Sequence, residues 1–187
     1  MDLFEAIYSR RAVRGFTEEA VNKGILNKLI DAAIQAPSAM NQQRWSFTII
    51  RKHDLLEQIS TKSKIHMLRT SSVGLASHHF LDILEDKNFN IFYGAPVLIV
   101  IGGTTDNSWT NTDCSLAAEN LMLAACALGL GTCWIGFAQG WLATTEGKHA
   151  IGLESDQIAV APIIVGHPKA EAPRIARHAP NVRWIDN

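Results

Sequence analysis

Residues 96–101 read Pro-Val-Leu-Ile-Val-Ile, an apolar run with no polar alternation. Opened by proline and bulky throughout, the run predicts a strand buried on both faces, Val97 to Ile101. Downstream, Asn111 to Leu128 carries apolar residues almost all round a helical projection, which places it in the centre of a core or in a subunit interface. Gly129 suits the end cap of that helix. Two further buried strands follow, Thr132 to Ile135 and Ile158 to Val165, with a helix from Gln139 to Ile151 between them. Upstream, helices are expected at Asp2 to Ser9, Asn22 to Ala36 (stopped by Pro37), His53 to Lys62 and His78 to Lys87, and a strand at Trp45 to Arg51. Strands and helices interleaved in this way give an α+β domain with a central mixed β-sheet flanked by helices.

The 187 residues suffice for a single domain with a sizeable core, 1–187, with 166–187 as an extended tail. That tail has no periodicity and contains Pro168, Pro173 and Pro180 with Arg174, Arg177 and Arg183, so it is suited to wrap across a partner or a ligand. Apolar residues make up 47% and charged residues 19%, which argues against disorder. A net charge of -1 gives no general affinity for nucleic acid or for an anionic membrane. The N-terminal segment lacks a signal-like apolar stretch, and Leu116 to Leu130 is interrupted by Glu119 and Asn120 and too short to span a bilayer. Three cysteines without a CxxC point to a reducing, cytoplasmic setting. No metal is expected, because His66 and the pair His78-His79 lack ligand spacing and no HExxH occurs.

Three segments could carry chemistry. Ser9-Arg10-Arg11-Ala12-Val13-Arg14 sets three guanidiniums within five residues. They repel one another unless an anion sits among them, and the planar guanidinium fork matches phosphate. In an extended chain Arg10 and Arg14 would converge and Arg11 would point away. A surface reading, in which they pair with Glu5, Glu18 or Glu19, is equally open on composition. Pro37-Ser38-Ala39-Met40-Asn41-Gln42-Gln43 offers neutral donors and acceptors suited to the edge of an amide-like heterocycle, although turn and capping chemistry favours the same residues. Gly129-Leu130-Gly131 precedes a strand and is no dinucleotide fingerprint; Gly136 would let backbone approach a flat ligand. No nucleophile elbow or Walker motif is present.

Taken in order, these pieces resemble the FMN-dependent nitroreductase family. The likeness rests on Ser-Arg-Arg-Ala-Val-Arg, the Ala-Pro-Ser-Ala-Met-Asn-Gln-Gln-Arg-Trp turn, Tyr93-Gly94-Ala95-Pro96, the apolar helix ending in Gly129-Leu130-Gly131, Trp134-Ile135-Gly136 and Ile163-Ile164-Val165-Gly166-His167-Pro168. It implies a nitroreductase-like α+β fold in an intertwined homodimer with FMN at the interface. It also implies ping-pong transfer of reducing equivalents from NADH or NADPH to a small-molecule acceptor, nitroaromatic or quinone-like. Other flavin reactions on the same scaffold (reductive dehalogenation, enone reduction, flavin destruction) and a non-catalytic flavin-binding role are the alternatives. By similarity Arg10, Arg11 and Arg14 hold the phosphate, with Arg174 and Arg177 from the tail. Ser38, Asn41 and Gln43 meet the flavin ring, Pro37 and Ala39 pack near it, and Ile135 and Gly136 supply backbone contacts. No catalytic side chain is implied, because the flavin carries the hydride. Arg44 stands where the family often has proline, and Ser63 to Phe92 matches poorly; His66, Met67, Phe80, Phe89 and Phe92 in it are candidates for the acceptor pocket.

Overall fold

The computed structural model describes residues 1–70, 78–105 and 108–186, with every side chain among them except those of residues 78–81. The strand anticipated at Val97 is β2, Val97–Thr104, and it lies inside a four-stranded sheet of order β1-β2-β4-β3. The other strands are β1 (Trp45–Ile50), β3 (Gly131–Trp134) and β4 (Gln157–Gly166); β2 pairs with β1 and β4, and β3 pairs with β4. Every pairing between these strands is antiparallel, which corrects the expected mixed sheet. Among the described residues, parallel pairing is confined to one bridge, Ala12 with Thr132, where the N-terminal segment runs beside β3. Continuous apolar runs suggested parallel strands, but here they follow from helices that cover both faces of an antiparallel sheet.

The alternation along β2 divides the core. Val97, Ile99 and Ile101 pack on one side with Leu26 and Leu29 of α2 (Lys23–Ala33) and Ala117 and Leu121 of α5 (Thr110–Ala127). Leu98 and Val100 face Leu56 and Ile59 of α3 (His53–Thr70) and Trp141 and Leu142 of α6 (Gly136–Leu142). The remaining helices are α1 (Leu3–Ser9), α4 (His78–Glu85) and α7 (Thr145–Ala150). Helix α5 buries one face and leaves Leu116 and Leu128 exposed on the other. Gly129, at φ +75°, ends it, with the Leu130 N–H donating to the Ala125 carbonyl at 2.9 Å.

Three helices depart from the sequence expectation: α2 ends at Ala33 with Ile34 as its cap, three residues short of Ala36, and two others differ more. Helix α3 runs on to Thr70, past the polar Ser63-Lys64 where periodicity fails. Lys64 is buried there because its ammonium donates to the carbonyls of Asp86 at 2.8 Å and Phe89 at 2.6 Å. The helix expected over Gln139–Ile151 is broken into α6 and α7. Thr144 breaks it: its hydroxyl donates to the Trp141 carbonyl at 2.7 Å and accepts from the Gly147 N–H at 3.0 Å, an N-cap for α7.

The β2–β4 register shifts between Ile101 and Gly102, pairing Ile101 with Ala161 and Gly102 with Ala159. A Cβ on Gly102 would stand 2.3 Å from the Ile158 carbonyl oxygen, a contact that backbone must move to relieve. Gly102→Ala should therefore cost about 1–3 kcal/mol. Calorimetry should show the midpoint falling by about 2–4 °C for each kcal/mol. An unchanged midpoint would contradict this register.

Candidate functional site

The arginine-bearing segment leaves α1 at Arg10, whose backbone turns extended at φ −53°, ψ 132°. It is then fastened along the ends of β3 and β4. The Val13 N–H donates to the Thr132 carbonyl at 2.9 Å, the Thr17 N–H to the His167 carbonyl at 2.8 Å, and the Lys169 N–H to the Gly15 carbonyl at 3.0 Å. Such close passage needs Gly131, where a Cβ would stand 2.8 Å from the Val13 side chain. The sheet thus holds the segment from Val13 to Thr17, and Arg10 and Arg11 stand just before that clamp.

Arg10, Arg11 and Arg174 line a cavity of about 220 Å³ together with Thr132 and Cys126. Arg14 lines the neighbouring one, and Arg11 borders both. Arg10 and Arg14 thus line different cavities and Arg11 borders both, in place of the expected convergence of Arg10 and Arg14 away from Arg11. Arg11 Nη1 donates to the carbonyls of Tyr8 and Arg10, each at 2.7 Å, so that arm of the fork serves the end of α1. Arg10 Nε lies 3.4 Å from a Glu119 carboxylate oxygen on α5, a partner other than Glu5, Glu18 or Glu19. Yet Arg10 Nε and Arg11 Nε are both buried with no hydrogen-bond acceptor. Arg14 stands over the Tyr93 ring at 6.0 Å, and that ring meets Phe89 edge-on at 5.7 Å. Burial pushes the Tyr93 phenol and the Cys133 thiol up, and the nearby Arg14 charge opposes both. Arg177 is exposed and is not among the residues lining either arginine cavity.

The second group is the turn after α2. Pro37, Ser38, Ala39 and Met40 line a cavity with Trp109, Thr112, Asp113 and Leu116. Met40, Asn41 and Gln43 hold positive φ of 51°, 54° and 52°. Non-glycine residues in that region store strain and persist where surrounding contacts fix them. Within the turn, the Gln43 N–H donates to Ser38 Oγ at 3.0 Å, and Gln43 Nε2 donates to Asn41 Oδ1 at 2.8 Å. From outside it, buried Asp113 accepts the Ala39 N–H at 3.0 Å. Burial and the Asp113 charge push the adjacent Cys114 thiol up to about 12.

Helix α5 separates the two groups. Thr112 near its start borders the turn cavity, and Cys126 near its end borders the arginine cavity. At helical rise that is about 20 Å. The expected backbone contact from Ile135 is corrected: its N–H donates to the Pro162 carbonyl at 2.8 Å, its carbonyl accepts the Ala138 N–H at 3.1 Å, and its side chain is core. Gly136 is exposed at the start of α6, with space around its Cα. Of the acceptor-pocket candidates, Phe92 is core and Phe89 is taken up by Tyr93 and Lys64; His66 packs on Gly140; Met67 is half-buried; the Phe80 side chain lies outside the described residues. Sequence reasoning passed over Asp113 and Thr132. A carboxylate in the first turn of a helix otherwise so apolar was the available sign for Asp113. Among the described residues no group of His, Cys, Asp or Glu is placed to hold a metal, and no helix is long and apolar enough to cross a membrane.

A protein of Methanothermobacter thermautotrophicus, provisionally named an NADH dehydrogenase/NAD(P)H nitroreductase, is 32% identical over 129 residues. The match takes in 65% of this chain and 54% of that protein, so the chain spans about half the relative's length. The fold is that of the Bacteroides fragilis nitroreductase solved with bound FMN, at TM-score 0.86 and 22% identity over 100% of both chains. An FMN-dependent nitroreductase of Clostridium difficile superposes at TM-score 0.79 with 26% identity over 98% of each chain. The sequence model of the nitroreductase family matches residues 7–167, from within α1 through the end of β4. With fold and sequence in agreement over that span, the chain belongs to the nitroreductase family.

Proposed function

We propose that this chain is an FMN-dependent NAD(P)H oxidoreductase that passes reducing equivalents to nitroaromatic, quinone-like or related small acceptors. The observation that carries this reading is the cluster of guanidiniums about one cavity, which Arg10, Arg11 and Arg174 line together with Glu171. A phosphate monoester supplies acceptor oxygens in number and geometry that such a cluster can use. The residues fit the group: Arg10, Arg11, Arg14 and Arg174 would hold the phosphate, with exposed Arg177 a further candidate from the tail. Ser38, Asn41 and Gln43 would face the ring with neutral polar groups, Pro37 and Ala39 would pack against it, and Gly136 would leave room for its approach. When bound, FMN supplies the two-electron chemistry that links nicotinamide oxidation to acceptor reduction in separate half-reactions.

The two halves of such a site come from two copies. About 15 Å of α5, from Leu116 to Cys126, separates the turn cavity from the arginine cavity. The five-carbon chain joining flavin phosphate to ring falls well short of that distance. A second copy set against α1 and the outer face of α5 would bring its own turn to these arginines. Leu3, Phe4, Ile7 and Tyr8 of α1, with Leu116 of α5 and its C-cap Leu128, are exposed apolar side chains suited to that contact. The tail, with exposed Ile175, Trp184 and Ile185, would lie across the partner.

The purified protein should show flavin absorbance that bleaches with NADH or NADPH and returns on addition of a nitroaromatic or quinone. A colourless protein that takes up no added FMN would refute the reading; flavin that neither nicotinamide reduces would leave a binding role only. Arg10→Ala and Arg14→Ala should each weaken FMN about ten- to a hundredfold, the loss of one charge-assisted contact. Riboflavin, which lacks the phosphate, should bind them as it binds the wild type, and equal losses for both ligands would contradict the phosphate assignment. Light scattering at micromolar concentration should give a dimer; a flavin-bearing monomer would contradict the two-copy site.

A further inference from the structure

Within the flavin reading, the geometry points to Asp113 as the positioning residue for the ring-facing turn, acting through the Ala39 amide. Asp113 lies in the first turn of α5 and is 5% exposed. Its Oδ1 accepts the Ala39 N–H at 3.0 Å across 74 residues of sequence. A carboxylate is withdrawn from water at this depth only where donors compensate it, so the contact is a committed one.

The geometry explains what the commitment achieves. Three residues of the turn, Met40, Asn41 and Gln43, have left-handed backbone, and none is glycine. The bonds within the turn, Gln43 N–H to Ser38 Oγ and Gln43 Nε2 to Asn41 Oδ1, fix its shape but not its place. Asp113 ties the turn to α5, and α5 is packed into the sheet through Ala117, Ala118 and Leu121. Pro37, Ser38, Ala39 and Met40 are thereby held against the cavity that Asp113 itself lines. The carboxylate does not touch the flavin in this assignment; it acts through Ala39.

Two substitutions remove the bond from opposite sides. Asp113→Ala deletes the acceptor. Ala39→Pro deletes the donor and leaves α5 intact: Ser38 is already extended at φ −133°, ψ 152°, the conformation proline requires before it, and Ala39 has no positive φ. Asp113→Asn keeps an acceptor oxygen and is the rescue. Flavin-free protein would be titrated with FMN and with riboflavin, and the visible band recorded at saturation. Asp113→Ala and Ala39→Pro should weaken both ligands alike, by about tenfold or more, because the lost contacts are to the ring. Both should also alter the visible band of the bound flavin, and Asp113→Asn should match the wild type in affinity and band. If Asp113→Ala does not fold, Asp113→Ser, whose hydroxyl is one atom too short to accept from the Ala39 N–H, takes its place, because Ala39 itself packs near the ring in this reading. Wild-type riboflavin affinity with an unaltered band in Ala39→Pro, or an Asp113→Asn as weak as Asp113→Ala, would overturn the assignment. A wild-type protein that binds neither ligand would instead overturn the flavin reading and this inference with it.

Discussion

A guanidinium nitrogen taken out of water without an acceptor costs about 1–3 kcal/mol, and this chain does so twice within two adjacent residues, Arg10 and Arg11. The sheet enforces the placement. Backbone pairing at Val13, Thr17 and Lys169 clamps the segment against β3 and β4, and Gly131 removes the side chain that would hold it off. Arg10 and Arg11 also line a cavity, and in the proposed reading the accessible ends of their guanidiniums meet the phosphate there. Glu119 neutralises part of the charge, at 3.4 Å from Arg10, without supplying a hydrogen bond.

The same constraint determines how the rest of the site must be built. The arginines lie at one end of α5 and the neutral turn at the other, so in the proposed reading one copy of the chain presents two half-sites. Each half is rigid for its own reason: the arginine segment by strand-like pairing, the turn by internal side-chain bonds and by Asp113. Rigid half-sites at the ends of a helix with an exposed apolar face suit a ligand shared between copies.

Much of this architecture was legible in the sequence because the core is apolar and periodic. The runs at Val97–Ile101 and Ile158–Val165, and the helix ending at Gly129, need only burial to be read. Strand direction was less legible: an unbroken apolar run reports that both faces are covered, and antiparallel β2 and β4 satisfy that as well as parallel strands would. Polar residues with tertiary partners hid the rest. Lys64 in the middle of α3 reads as a helix end until the carbonyls of Asp86 and Phe89 are in place. Thr144 reads as helix interior until it is seen to cap α7. For the site, residue types pointed to an anion and a neutral heterocycle. Ile135 failed because its amide belongs to Pro162, and Asp113 was missed because its partner is 74 residues away.

The claim on which the account turns is that arginines and turn meet across two copies, and a mixed dimer tests it directly. One chain would carry Arg10→Ala with Arg14→Ala, the other Ala39→Pro, each with a different affinity tag so that the mixed species can be isolated. Flavin absorbance of each parent and of the mixed dimer would then be compared at equal protein concentration. In the mixed dimer, the intact arginines of one chain face the intact turn of the other at one of the two sites. The account predicts parents poor in flavin and a mixed dimer holding one FMN per pair of chains. A mixed dimer as poor in flavin as its parents would contradict it, because the two halves would then belong to the same chain.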